Sequence, residues 1–255
     1  MKKKITATNR RFFLKWLPFN FCDGFCEGCE EFQDSCRVYQ DELRFKAQCQ
    51  LESKDPYDTK VVFENMGQIM QDTIKTFRET MEKEGIEITK GDEERSEKEE
   101  DSAEEKVRNS PLYKKCWDFS KNLSNFLEEF RNFLQQRPWW IAASLQGEME
   151  ELCFYCRLVP AKVYRALHSQ IDERKYREKF SRPDSMVSGT LGFFSLATCE
   201  KRLEGISNLI KETEKTEDSK INKLLKEIKN IKEEFKKVFP GVEDSRDKII
   251  FHGRL

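Results

Sequence analysis

The chain is expected to be all-α: an up-and-down helical bundle of four to five long helices, with an N-terminal cysteine-rich metal-binding segment. Three observations lead there. Apolar residues recur at three- and four-residue intervals over long stretches, the spacing of one helix face. Proline, Pro160 excepted, falls between these stretches or at their starts, where it punctuates helices. Nowhere do alternating residues accumulate between hairpin-turn signals.

Residues 1–50 begin with a basic, aromatic arm (Lys2, Lys3, Lys4, Arg10, Arg11, Phe12, Phe13, Trp16) and continue into the cysteine-rich segment. From Tyr57, the residues Val62, Met66, Ile69, Thr73 and Phe77 mark a helix within 51–86. Residues 87–109 carry ten Asp and Glu against five Lys and Arg with almost no apolar side chain. This acidic low-complexity insertion is expected to be disordered and to contribute no core. Residues 51–86 and 110–240 are then the bundle.

Ser110-Pro111 opens the next helix, with a capping residue followed by proline at the first helical position. Leu112, Cys116, Phe119, Leu123, Phe126, Phe130 and Phe133 run along it as an apolar stripe. After Pro138 a long helix is expected from about Trp139 to Glu173, with Met149, Leu152, Cys156, Val159, Val163 and Ala166 facing inward and a kink at Pro160. Leu191 to Ile210 reads as a further helix, with Gly189 and Gly192 allowing close packing near its start. Ile221, Leu224, Ile228, Ile231, Phe235 and Val238 mark a last, lysine- and glutamate-rich helix before Pro240-Gly241. Its stripe suits a bundle and suits dimerisation equally. Short connections make neighbouring helices antiparallel.

The most specific chemical signal is the spacing of Cys22, Cys26, Cys29 and Cys36 in FCDGFCEGCEEFQDSC. Four thiols this dense can surround one metal centre. Two other readings exist: an apolar helix face of packed thiols, and disulfides. Gly24 and Gly28 oppose the helix, since each costs about 1 kcal/mol against alanine in a helix interior. An odd count of nine cysteines in a chain long enough for a real core opposes a disulfide scaffold. The contiguous run resembles iron–sulfur ligation more than the two separated pairs of structural zinc, so a [4Fe–4S] cluster is expected, with zinc as the alternative. Arg37, with Arg10, Arg11 and Lys15, are the nearest cations to balance the thiolates. A radical S-adenosylmethionine reading of the first three cysteines fails, because Gly28 stands where an aromatic residue is usual and no βα alternation follows.

The pattern Cys22-Asp23, Cys26-Glu27, Cys29 and Cys36, together with Pro160-Ala161-Lys162-Val163-Tyr164-Arg165-Ala166-Leu167 and Tyr155 upstream, resembles an uncharacterised bacterial protein family with a CDxxCExC motif and a PAKxxRAL block. Ser110-Pro111-Leu112-Tyr113 and the Asp184 region look like further matches. The resemblance implies a cysteine site and no particular reaction.

A second candidate is a polar line on one helix face. Glu151, Tyr155, Leu158, Lys162 and Arg165 recur at helical spacing. They point either to solvent or into a cleft where Glu151, Lys162 and Arg165 meet Asp184 or a ligand anion as a cofactor-binding set. Cys153 and Cys156 sit mid-helix, away from the helix N-terminus that activates redox dithiols, and read as core with Cys116 and Cys199. His168 and His252 are the only histidines and fit no zinc or carboxylate-metal motif. No phosphate-binding glycine loop or nucleophile elbow occurs, and no catalytic residue is assigned.

A net charge of −1 gives no global attraction to nucleic acid or an anionic membrane, and no apolar run reaches the length of a span. The basic arm could stack on single-stranded nucleic acid, yet its aromatic content suits packing against the cysteine loop better. Arg10-Arg11 resembles an export signal but lacks the apolar stretch such a signal needs. The expectation is a cytoplasmic, reducing location and an unidentified protein or redox partner, with no nucleic acid and no membrane.

Overall fold

A computed structural model describes residues 22–26, 29, 33, 34, 36–85, 90–176, 182–210, 214–246, 249 and 251. Among the described residues there are seven helices and no β-strand, so the chain is all-α. The chain divides into two compact units, one of Gln33–Ser102 and one of Met1–Phe32 with Ala103–Leu255. No helix among the described residues is long and apolar enough to cross a membrane.

The first unit holds α1 (Arg37–Leu51), α2 (Thr59–Glu84) and the first part of α3 (Lys90–Asn109). The segment after Cys36, read from the sequence as a continuation of the cysteine loop, is helix α1 with Cys49 buried. Helix α2 has well-formed ends. Asp58 Oδ1 accepts hydrogen bonds from the Lys60 and Val61 amides at 2.7 and 3.4 Å, and Gly85 closes the helix at φ +65°, a left-handed conformation that favours glycine.

The acidic stretch differs from the expected disorder: Lys90–Asn109 is helical, and it reaches into the second unit, where Ala103 and Val107 are buried. Two apolar residues four apart are enough to make one inward face. Opposite charges at the same spacing support the exposed side, as in the Glu104–Arg108 pair at 2.6 Å.

The second unit is a four-helix bundle of α4 (Pro111–Gln135), α5 (Trp139–Tyr176), α6 (Arg182–Ile210) and α7 (Lys215–Val238). Helices α4 and α6 each pack on both α5 and α7. Pro111 sits in the first turn of α4 after Ser110. The stripe Leu112, Cys116, Phe119, Leu123, Phe126, Phe130 of α4 faces inward, as do Ile221, Leu224, Ile228, Ile231 and Phe235 of α7.

A polar ladder fixes these two helices as antiparallel neighbours. Lys115 meets Glu234 at 3.2 Å, Asn122 meets Glu227 at 3.2 Å and Lys220 meets Glu129 at 2.8 Å; seven residues up one helix match seven down the other. Glu151–Arg202 and Arg165–Asp184 set α5 antiparallel to α6. Glu200–Lys232 and Ser207–Asp218 do so for α6 and α7.

Helix α6 begins at Arg182 rather than near Leu191, and nearly every residue from Ser185 to Cys199 is buried. Gly189 and Gly192 sit where the bundle is tightest. A Cβ on Gly189 would lie 3.2 Å from the Phe239 ring, and one on Gly192 would lie 3.2 Å from Phe235 and 3.5 Å from Val163. Helix α5 runs unbroken through Pro160, which cannot donate the usual amide bond to the Cys156 carbonyl.

Candidate functional site

The cysteine segment lies in the bundle unit as far as Cys29, and α5 is its platform. Phe25 packs its ring 5.0 Å from that of Phe154 and 5.8 Å from that of Tyr155. Next to it Asp23 is only 2% exposed. Its Oδ2 accepts the Tyr155 hydroxyl at 2.9 Å, and its Oδ1 accepts the Phe25 amide at 3.2 Å. A carboxylate so enclosed needs these donors. Phe251 closes the other side of Tyr155, at 5.3 Å between rings.

The backbone turns sharply within the segment. Gly24 has φ +81° with open space around its Cα, so the dihedral, not crowding, asks for glycine. Its amide donates to Cys22 Sγ at 3.3 Å. The Cys26 amide reaches the Gly24 carbonyl at 2.9 Å, and the Cys29 amide reaches the Cys26 carbonyl at 3.1 Å. From Asp23 to Phe25 the backbone is irregular rather than helical.

Cys22 and Cys26 are half-buried and Cys29 is buried, and all nine cysteines are free thiols. Burial pushes the Cys22 thiol up; the Asp23 carboxylate adds to this, and so do Cys26 and Cys29, while the Gly24 amide opposes it. Cys36, buried at the start of α1, belongs to the other unit, and its carbonyl takes the Gln40 amide at 3.0 Å. Among the described residues no three Cys, His, Asp or Glu side chains form a group able to hold a metal ion.

The polar line on α5 is partnered along its length rather than solvated. Glu151 and Arg202 pair at 3.0 Å with little exposure. Lys162 Nζ stands 3.5 Å from the Cys22 carbonyl. Burial and the neighbouring Arg165 hold its pKa below the usual lysine range, against the pull of Cys22, Asp23 and Asp184. Arg165 meets Asp184 Oδ2 at 3.2 Å, and the Ser169 hydroxyl donates to the same oxygen at 3.1 Å. Among the described residues, no hydrogen-bond partner meets the buried Asp184 Oδ1.

Of the expected cleft set, Arg165, Asp184 and Lys162 therefore lie near one another. Glu151 does not join them: four turns of helix, about 20 Å, separate it from Arg165, and it spends its charge on Arg202. Sequence reasoning missed Asp23 and Arg202. Asp23 was legible only as the residue after the first cysteine, and Arg202 carried no signal short of the α5–α6 register.

Among the described residues, Lys162 is a cation beside Cys22. Arg37 pairs with Asp41 on the exposed side of α1 in the other unit; Arg10, Arg11 and Lys15, like the rest of residues 1–20, lie outside the described residues. Cys156 donates to the Cys153 carbonyl at 3.4 Å and lies 3.8 Å from Ser124 Oγ. Burial raises its pKa, the opposite of an activated dithiol. His168 stands 3.1 Å from Asp172, while His252 lies outside the described residues. No family model, curated protein or solved structure matches the chain.

Proposed function

We propose that the protein binds a metal centre through Cys22, Cys26, Cys29 and Cys36, a [4Fe–4S] cluster with zinc as the alternative, and that it transfers electrons or senses redox state with a redox partner in a reducing, cytoplasmic setting. The observation that carries this reading is the turn at Gly24. A backbone amide donates to Cys22 Sγ at 3.3 Å, at a glycine-hinged turn that leads directly into Cys26. Amide hydrogen bonds to sulfur favour thiolates and tune a cluster's potential.

The donor chemistry fits the centre, since four free thiols supply a complete set. Binding has to draw the thiols together and release their protons; the irregular backbone between Asp23 and Phe25 is where the chain can yield. A bound cluster would supply one-electron chemistry. The residues of the chain do the rest. Tyr155 and Asp23 hold the loop on α5, Phe25 and Phe154 shield it, and Lys162 offsets thiolate charge at Cys22.

The test is metal and sulfide analysis with a UV–visible spectrum on protein purified without oxygen, repeated on Cys29→Ser. Iron and sulfide near four per chain, with broad absorption near about 400 nm, support the cluster if the variant loses them. Stoichiometric zinc in a colourless protein supports the alternative, a zinc-stapled interaction module without catalysis, which the exposed apolar face of α2 favours. No metal at all refutes the proposal.

A further inference from the structure

Helix α2 has the build of a buried helix and not one buried residue. Its 26 residues are capped at both ends, and Phe63, Met66, Ile69, Met70, Ile74 and Phe77 are each about half exposed or more. Helix α7 offers the instructive contrast, because its equally regular stripe is consumed inside the bundle. Among the described residues, α2 carries the longest run of exposed large apolar side chains. Contiguous apolar surface on this scale marks an interaction site.

The spacing says what covers it. Phe63, Met66, Met70, Ile74 and Phe77 follow one another at intervals of three, four, four and three, a pattern that reads the same in both directions about Met70. A helix run antiparallel against its own copy then sets Phe63 beside the other Phe77, Met66 beside the other Ile74, and Met70 beside Met70. A two-fold interface requires that self-complementarity. Side chains of this size bury roughly 100 Å² or more apiece, so five from each of two helices would remove about 1,000 Å² or more from water, the threshold of a specific interface.

We propose that two copies of this chain associate through antiparallel pairing of α2 about a two-fold axis at Met70. The pairing is independent of metal binding by the cysteine segment.

Sedimentation velocity and light scattering on the full chain, from about 1 to 100 μM, test it. The expected result is a concentration-dependent dimer. Met70→Glu, which keeps helix propensity, should raise its dissociation constant by about 100-fold or more, since two methionines leave the interface for two like charges. Circular dichroism of this variant at high concentration should retain the helix content of the wild-type monomer. Benzoylphenylalanine at position 63 should cross-link to the peptide containing Phe77 within a covalent dimer. A wild-type monomer throughout the range overturns the proposal. So does a dimer indifferent to Met70→Glu, and so do cross-links from position 63 that are intramolecular or reach position 63 of the other copy.

Discussion

Tyr155→Phe removes one oxygen and tests whether the cysteine segment is held by α5. The hydroxyl donates at 2.9 Å to Asp23 Oδ2, and Asp23 is 2% exposed and Tyr155 fully buried. Phenylalanine keeps the ring contacts with Phe25, Phe154 and Phe251, so packing is nearly unchanged and the loss is electrostatic. A hydrogen bond to a charged group contributes about 1.5–3 kcal/mol net. In a unit of this size about 2 kcal/mol lowers the melting temperature by roughly 4–8 °C. Urea denaturation of the wild type, Tyr155→Phe, Asp23→Ala and the double variant completes a cycle. The double variant should be less destabilised than the sum of the singles by at least about 1 kcal/mol. A loss under about 0.5 kcal/mol in Tyr155→Phe, or strict additivity, would refute the clamp.

Three further outcomes are expected. Stability should fall at alkaline pH, because burial raises the thiols of Cys116 and Cys199 above their ordinary value of 9.0: the folded chain keeps protons that the unfolded chain loses there, so this contribution is whole below about pH 9 and drains away as pH climbs toward the folded values; urea midpoints should drop from about pH 9 upward, and less steeply in Cys116→Ala. Breaking the enclosed Glu151–Arg202 pair with Glu151→Leu should cost about 3 kcal/mol by taking the carboxylate away from an enclosed guanidinium, whereas replacing both residues by methionine should cost much less, as judged by chemical denaturation. Gly205→Ala should stabilise α6 by up to about 1 kcal/mol because nothing lies near its Cβ, while Gly192→Ala should destabilise by about 1–2 kcal/mol because Phe235, held between Phe193 and Phe239, has no room to withdraw; equal shifts in melting temperature would contradict this.

Helices α4 and α7 were legible from spacing alone because each is apolar on one side, and a half-buried helix writes its burial into its period. Helix α6 was legible only in its second half. Buried on nearly all sides, its first half has no polar face to reveal a period. The acidic segment hid a helix for the opposite reason: Ala103 and Val107 are its buried contribution, too little apolar signal to stand out from its charges. The candidate site divided in the same way. Cysteine spacing lies within one segment and could be read, whereas the partners that anchor it lie 132 and 140 residues away in Tyr155 and Lys162.

By itself, then, the sequence determined the strongly amphipathic helices, α2, α4, α5 and α7, and where the thiols concentrate, since these depend on neighbours within a few residues. Tertiary structure alone decided which apolar face is used. The stripes of α2 and α7 are equally regular, yet one is exposed and the other forms core. Amphipathicity is a property of one helix, while burial requires a second surface at the right place, and that place is set by the antiparallel register of the whole bundle.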